Sequence, residues 1–388
     1  MTVADAVAAF VTALAVSALA TPLVARLARR LDVIDRPRER GLAQADTPRL
    51  GGLAILAGAA ASALVWLPVD GELRGILAGA AAITLVGGLD DAFDLPAPVK
   101  LAGQVAAALL PVLSGVVVEN FTLPFVHRVE LGGLAEPLTL LGIVALMNVV
   151  NFSDGIDGLA AGVCTISALT FAVIAFDLER NAAGVLAALT AGAALGFLFH
   201  NFHPASVFMG DSGSNLLGLM LACIAVQGSL KTNALIALVG PLVVLAVPFL
   251  DTGFVVAKRL KYRRRPWAAD TEHFHHRLSR IGFSQRRTVV YLYAWTLALA
   301  GLALALRFVP YSDDAGDFDA AWTAVMAVLG LLAVAASLYL VYVLEIFKFR
   351  RLRERQLRAQ DPTTAEHEID ARVVRELETG EFQAVQEP

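Results

Sequence analysis

Eleven apolar runs, most of them about 20 residues long, divide this chain near 3–27, 50–68, 73–89, 98–118, 137–151, 159–176, 182–200, 213–228, 233–257, 289–308 and 321–347. A run of that length crosses the hydrocarbon core of a bilayer as a helix. There every backbone N–H and C=O must be satisfied within the segment itself. The chain is therefore expected to be an all-α polytopic membrane protein with about eleven transmembrane helices. Of its 388 residues, 57% are hydrophobic and 17% charged, against about 25% charged in a soluble domain. That balance excludes a water-soluble enzyme and a disordered chain. A net charge of −4 leaves no basic surplus for nucleic acid. Cys164 and Cys223 both lie in apolar runs and give neither a disulfide framework nor a metal spacing.

Lys and Arg set the expected orientation. With the N-terminus outside, the cytoplasmic side collects Arg26, Arg29, Arg30, Arg36, Arg38, Arg40, Arg49, Lys100, the basic loop 258–288, and Lys348 to Arg358. The outer side holds Arg74, Arg128, Arg180, Lys231 and Arg307, beside acidic residues such as Asp70, Glu72, Asp177 and Glu179. The C-terminus is then cytoplasmic. The first run does not read as a signal peptide, because Asp5 precedes it and its positive charges follow it. Residues 1–347 form the membrane unit. Residues 348–388 form a charged cytoplasmic tail, basic at first and acidic at its end, expected to be a fraying helix with too few apolar residues for a core. Small residues such as Ala57, Gly58, Ala59 and Ala60 permit close helix packing and are compatible with a homodimer.

Four polar segments interrupt the apolar pattern, all on the inner side: Gly88–Pro96, Asn148–Leu159, Phe208–Asn215 and His273–Leu278. Ionisable residues at membrane-helix ends are costly and point to function. Asp90 and Asp94 share a helix face, with Asp91 about 100° away. Three carboxylates so close repel one another unless a cation lies among them, and oxygen-only ligands suit Mg²⁺ or Mn²⁺. A solvated helix end is the plainer reading. Asn148, Asn151, Asp154 and Asp157 repeat every three residues and line one face, with Gly155 and Gly158 leaving room for a ligand. In Phe208–Asn215, a Gly-Asp-Ser-Gly-Ser turn opens a helix whose free N–H groups would attract an anion. Asp211 is placed to reach a metal also held by Asn151, or to act as an N-cap. Phe208 is placed to stack on a base, or is an ordinary membrane-face aromatic. His273, His275 and His276, with Arg277 beside them, suit phosphate oxygens or proton transfer better than zinc, since no thiolate is near. These groups together fit Mg²⁺-assisted phosphoryl transfer between a soluble phosphorylated substrate and a lipid one.

Taken with Thr47-Pro-Arg-Leu-Gly-Gly52, these strings resemble the polyprenyl-phosphate N-acetylhexosamine-1-phosphate transferase superfamily, motif after motif up to about Tyr293. The resemblance implies a bacterial plasma-membrane enzyme with its site facing the cytoplasm. Such an enzyme transfers N-acetylhexosamine-1-phosphate from a UDP-sugar to polyprenyl phosphate, releases UMP and requires Mg²⁺. Carried over by motif, Asn151 and Asp211 would hold the metal, and Asp90 and Asp91 would orient or deprotonate the lipid phosphate. Lys100 would hold the diphosphate. Asp157, Asn201 and Phe208 would receive the uridine, and Asp154 would support this polar face. His273, His275, His276 and Arg277 would meet phosphate or sugar. The string His-Phe-His-His-Arg-Leu is similar to the GlcNAc-type branch, whereas the muramoyl-pentapeptide branch carries three consecutive histidines. The stretch Arg265–Glu272 departs from the Ser-Pro-Phe-x-Pro-Asp pattern common before them.

Two other classes fit less well. An intramembrane prenyltransferase needs no second Asn/Asp face and no histidine loop. A transporter places its charges at mid-bilayer, while these helix centres are nearly free of charge.

Overall fold

The computed structural model describes residues 1–36, 46–123, 127–228, 285–310 and 319–342, together with Glu354, Leu357, Arg358 and 365–379 of the tail. Among these are eleven α-helices. They are α1 (Val3–Arg30), α2 (Gly51–Trp66), α3 (Gly71–Phe93), α4 (Ala97–Leu113), α5 (Ala135–Ser153) and α6 (Leu159–Asp177). Then follow α7 (Asn181–Asn201), α8 (Gly210–Gly228), α9 (Gln285–Phe308), α10 (Ala320–Tyr342) and, in the tail, α11 (Glu366–Thr379). Ten of the eleven apolar runs thus correspond to α1–α10. The run at 233–257 lies outside the described residues.

Among the described residues six helices, α1, α3, α5, α6, α7 and α9, are long and apolar enough to cross a membrane. The protein is an all-α integral membrane protein. Its centre is α7 and α8, which are buried along nearly their whole length. Around them stand α1, α2, α3, α5 and α6, while α9 packs on α6 and carries α10. Apolar side chains left exposed on the periphery, such as Leu19, Leu23, Leu85, Leu141 and Leu331, form the surface that lipid tails cover. Small residues let the backbones meet: a methyl group added at Gly196 of α7 would stand 2.3 Å from the Leu14 carbonyl oxygen of α1.

Local chemistry starts the peripheral helices. Thr2 and Asp5 form a reciprocal capping box on α1, and the Asp70 side chain accepts the Leu73 N–H of α3 at 2.8 Å. Two small antiparallel pairs lie in the connections between helices. β1 (Ile34–Asp35) pairs with β2 (Thr47–Pro48), and β3 (Asn120–Leu123) pairs with β4 (His127–Glu130). The tail also buries Leu357, Ile369 and Val373 together, a small apolar cluster its composition did not lead one to expect.

Chain alternation decides where the site lies. The C-terminal ends of α3, α5 and α7 and the N-terminal ends of α2, α4, α6 and α8 share one end of the bundle. The polar strings at those seven ends therefore converge, although they are far apart in sequence.

Candidate active site

The Lys100 ammonium of α4 lies between two carboxylates. It is ion-paired with Asp90 of α3 and stands 3.0 Å from Asp211 Oδ2 of α8. Asp90, only 5% exposed, also accepts the Leu95 N–H at 2.8 Å. Asn151, in the last turn of α5, donates through Nδ2 to Asp211 Oδ2 at 3.5 Å, and its Oδ1 accepts from Ser214 at 2.9 Å.

Asp91 turns the other way. Its two oxygens accept the N–H groups of Asp211 at 2.9 Å and Ser212 at 3.2 Å, so it caps the start of α8. This corrects two expectations. The three carboxylates of the α3 end do not gather around one cation: Asp90 faces Lys100, Asp91 faces α8, and Asp94 is exposed at the helix C-cap. The start of α8 also does not offer these N–H groups to an external anion, because the protein's own carboxylate takes them. The start of α2 is treated likewise. Gly51 and Gly52 donate to the carbonyls of Phe208 and Met209, each at 3.1 Å. Backbone approaches this close explain the glycines. A methyl at Gly52 would lie 2.3 Å from Gly213 N, and one at Gly87 would lie 2.4 Å from Ser212 N.

Beside Asp211 opens a cavity of about 310 Å³. Its wall includes Asp91, Asn151, Asp154, Asp157, Asn201, Phe208 and Asp211, as well as Asp35 and Arg49. Asp157 accepts from His203 Nδ1 at 2.8 Å and from the Ala205 N–H at 3.1 Å. Asn201, 2% exposed, accepts the Gly158 N–H and donates to the Val207 carbonyl, both at 3.0 Å. Both ends of its amide thus tie the two loops that frame the cavity. Asp154, in the loop after α5, has its carboxyl pushed up to about 8 by burial first. Like charge from Asp211, Asp91 and Asp157 adds to this, and Arg49 offsets part of it.

The structure thus brings together Asp90, Asp91, Lys100, Asn151, Asp154, Asp157, Asn201, Phe208 and Asp211. His273, His275, His276 and Arg277 lie outside the described residues. Several residues escaped the sequence reading. Arg49 was read as a marker of topology and as part of the Thr47–Gly52 string, with no role at the site, and His203 was not read at all. Buried Gln104 and Asn215 were not singled out either; with Asn148, already read as part of the polar face of α5, they form an amide chain beneath Lys100 and Asp211. The available signal was spacing: Gln104 and Asn215 each fall one helical turn after a site residue, in otherwise apolar sequence.

Among the described residues no three His, Cys, Asp or Glu side chains converge as a ready-made metal cage. Mg²⁺ does not need one, since it keeps several waters and binds through one or two carboxylates plus substrate phosphates. Asp211 supplies a carboxylate, and a half-turn of the neighbouring Asn151 amide exchanges its nitrogen for oxygen. Hard oxygen donors facing several carboxylates fit a hard divalent cation.

Residues 73–229 match the glycosyl transferase family 4. The chain is 37% identical over 302 residues to a probable undecaprenyl-phosphate N-acetylglucosaminyl 1-phosphate transferase of Bacillus subtilis, covering 77% of this chain and 84% of that protein. It is 38% identical over 331 residues to the decaprenyl-phosphate N-acetylglucosaminephosphotransferase of Mycolicibacterium smegmatis, covering 77% and 82%. A phospho-N-acetylmuramoyl-pentapeptide-transferase of Desulforudis audaxviator is 33% identical over 327 residues, covering 76% and 95%. With relatives this similar over more than three quarters of its length, the chain belongs to glycosyl transferase family 4.

Proposed function

We propose that this protein transfers N-acetylglucosamine-1-phosphate from UDP-N-acetylglucosamine to a polyprenyl phosphate, undecaprenyl or decaprenyl, and releases UMP. The observation that carries the reading is the Lys100–Asp211 pair, 3.0 Å apart, beside a polar cavity that Asn151 and Phe208 also line. The site lies at one end of a membrane bundle, where a soluble donor can meet a lipid acceptor. The donor branch follows the GlcNAc-named relatives and the His-Phe-His-His-Arg-Leu string. The reaction is the first membrane step of an envelope or wall glycan. On this reading the enzyme sits in the bacterial plasma membrane with eleven spans, its N-terminus outside and its C-terminus and site in the cytoplasm; the eleven apolar runs support the span number and the bias of Lys and Arg supports the orientation.

An oxygen of the lipid phosphate attacks the β-phosphorus of the donor. The bond from that phosphorus to the UMP oxygen breaks, and UMP carries away the electron pair. A phosphate monoester is already largely ionised at neutral pH, so the attack needs no strong general base. Asp90 holds Lys100 at the site, where the ammonium meets phosphate oxygens. Asp91 fixes the start of α8 and so the position of Asp211. Asp157, steadied by Ala205 and His203, and the ring of Phe208 receive the uridine. Asp211 and Asn151 would hold Mg²⁺, which would supply neutralisation of the diphosphate charge.

UMP release by the purified protein in detergent tests this, with Mg²⁺, undecaprenyl phosphate and either UDP-GlcNAc, UDP-GalNAc or UDP-MurNAc-pentapeptide. Release with UDP-GlcNAc alone is expected. Release with the pentapeptide alone would move the enzyme to the muramoyl branch, and release from no tube would refute the reaction.

A further inference from the structure

We infer that Arg49 is a phosphate-binding residue of the cavity and holds an oxygen of the donor's diphosphate. This rests on the reading of the chain as a UDP-sugar transferase. Among the described residues that line the cavity, Asp35, Asp91, Asp154, Asp157 and Asp211 are carboxylates, and Arg49 alone is a cation. A diphosphate entering this space meets mostly like charge. A fixed guanidinium on the wall answers it with charge-assisted, fork-shaped hydrogen bonding.

The arginine is held from three directions. Its N–H donates to the Val33 carbonyl at 3.1 Å, and the carbonyl of the preceding Pro48 accepts the Phe208 N–H at 2.9 Å. Its Nη2 pairs with Asp35 Oδ1 at 3.0 Å, and the β1–β2 pairing aligns the segments that carry both residues. A guanidinium has five N–H donors, so one contact to Asp35 leaves donors for a second acceptor. The side chain is 32% exposed and so remains within reach of a ligand. Arg49 and Asp154 line the same cavity, across which the guanidinium opposes the upward push on the Asp154 carboxyl. Phe208 and Arg49 are thus set side by side by backbone bonds, an aromatic face for a base next to a cation for its phosphates.

The test compares UDP with uridine, since the two differ only in phosphate. Dissociation constants come from ligand-induced shifts in melting of the purified full-length protein in detergent with Mg²⁺. Wild type is expected to prefer UDP. Arg49→Gln should cut that preference about tenfold or more, the size of one charge-assisted contact, while leaving uridine binding in place. Asp35→Asn breaks the same ion pair but keeps the guanidinium, and should retain most of the preference. Equal losses in the two variants would mean that the ion pair only supports the fold, and would overturn the inference. So would an undiminished preference in Arg49→Gln, or a raised KM for polyprenyl phosphate with the UDP preference intact, which assigns the contact to the acceptor. Wild type that binds neither ligand would sink the transferase reading along with it, whereas the other failures leave that reading standing.

Discussion

Gln104 Nε2 donates to Asn215 Oδ1 at 2.8 Å in the buried seam between α4 and α8. Asn148 Nδ2 of α5 donates to Gln104 Oε1, also at 2.8 Å, and Asn215 Nδ2 donates to the Asp211 carbonyl at 2.8 Å. Each amide lies about one turn deeper in the bundle than a site residue: Gln104 below Lys100, Asn148 below Asn151, Asn215 below Asp211. In an apolar seam such a chain fixes helix register, because any slip strands polar groups where water cannot reach them. Gln104→Leu keeps the volume and removes the link. We expect a stability loss of about 1–3 kcal/mol per stranded amide. We also expect kcat to fall about 10- to 100-fold through misplacement of Lys100 against Asp211, with a smaller change in KM for the UDP-sugar. An unchanged kcat in a folded variant would show that the seam is only packing.

Asp91 and Asp211 should separate in a comparison of melting with turnover. Asp91→Ala leaves the Asp211 and Ser212 N–H groups uncapped and should cost about 0.5–2 kcal/mol of stability. Asp91→Asn keeps one accepting oxygen and should lose less. Asp211→Asn should leave the fold intact and abolish Mg²⁺-dependent turnover. Normal turnover in Asp211→Asn would remove that residue from the metal site.

Gly52 and Gly87 press on the start of α8 from opposite partners, α2 and α3. Their added methyl groups would meet backbone at 2.3 and 2.4 Å, which rotamer changes cannot relieve. Overpacking of this kind costs about 1–3 kcal/mol or more. Gly52→Ala and Gly87→Ala should therefore lower the melting temperature and the activity together. Gly71→Ala is the control, since nothing stands within 4 Å of that position. Equal behaviour of all three variants would count against the close-approach account.

The apolar runs made ten helices legible in the sequence, because membrane length and hydropathy leave a helix few alternatives. The site was legible wherever a polar side chain interrupts such a run, as at Lys100, Asn151, Asp157 and Asp211. What spacing did not convey is direction. Asp90 and Asp91 are adjacent in sequence, yet one faces Lys100 of the next helix and the other caps α8, more than 100 residues away in the chain. Arg49 was hidden for the opposite reason. Among so many inner-side arginines its charge looked like a topology signal, and only the pairing of β1 with β2 brings it to the cavity.

Asp154 gives the protein a pH signature. Its folded carboxyl titrates at about 8, against 3.8 in its ordinary state. Below the ordinary value it is protonated whether the chain is folded or not, and it contributes no pH dependence. Between the two values the folded chain must hold a proton that the unfolded chain releases. Stability should therefore decline as pH rises across that window. Melting in detergent with EDTA, from pH 5 to 8, should show wild type falling and Asp154→Asn falling less, with the variant the more stable at the upper end. Mg²⁺ should restore wild type most at the alkaline end, where a cation offsets the newly ionised carboxylate. Parallel curves for the two proteins would mean that Asp154 is already ionised inside the folded site, compensated by Arg49 and the surrounding dipoles.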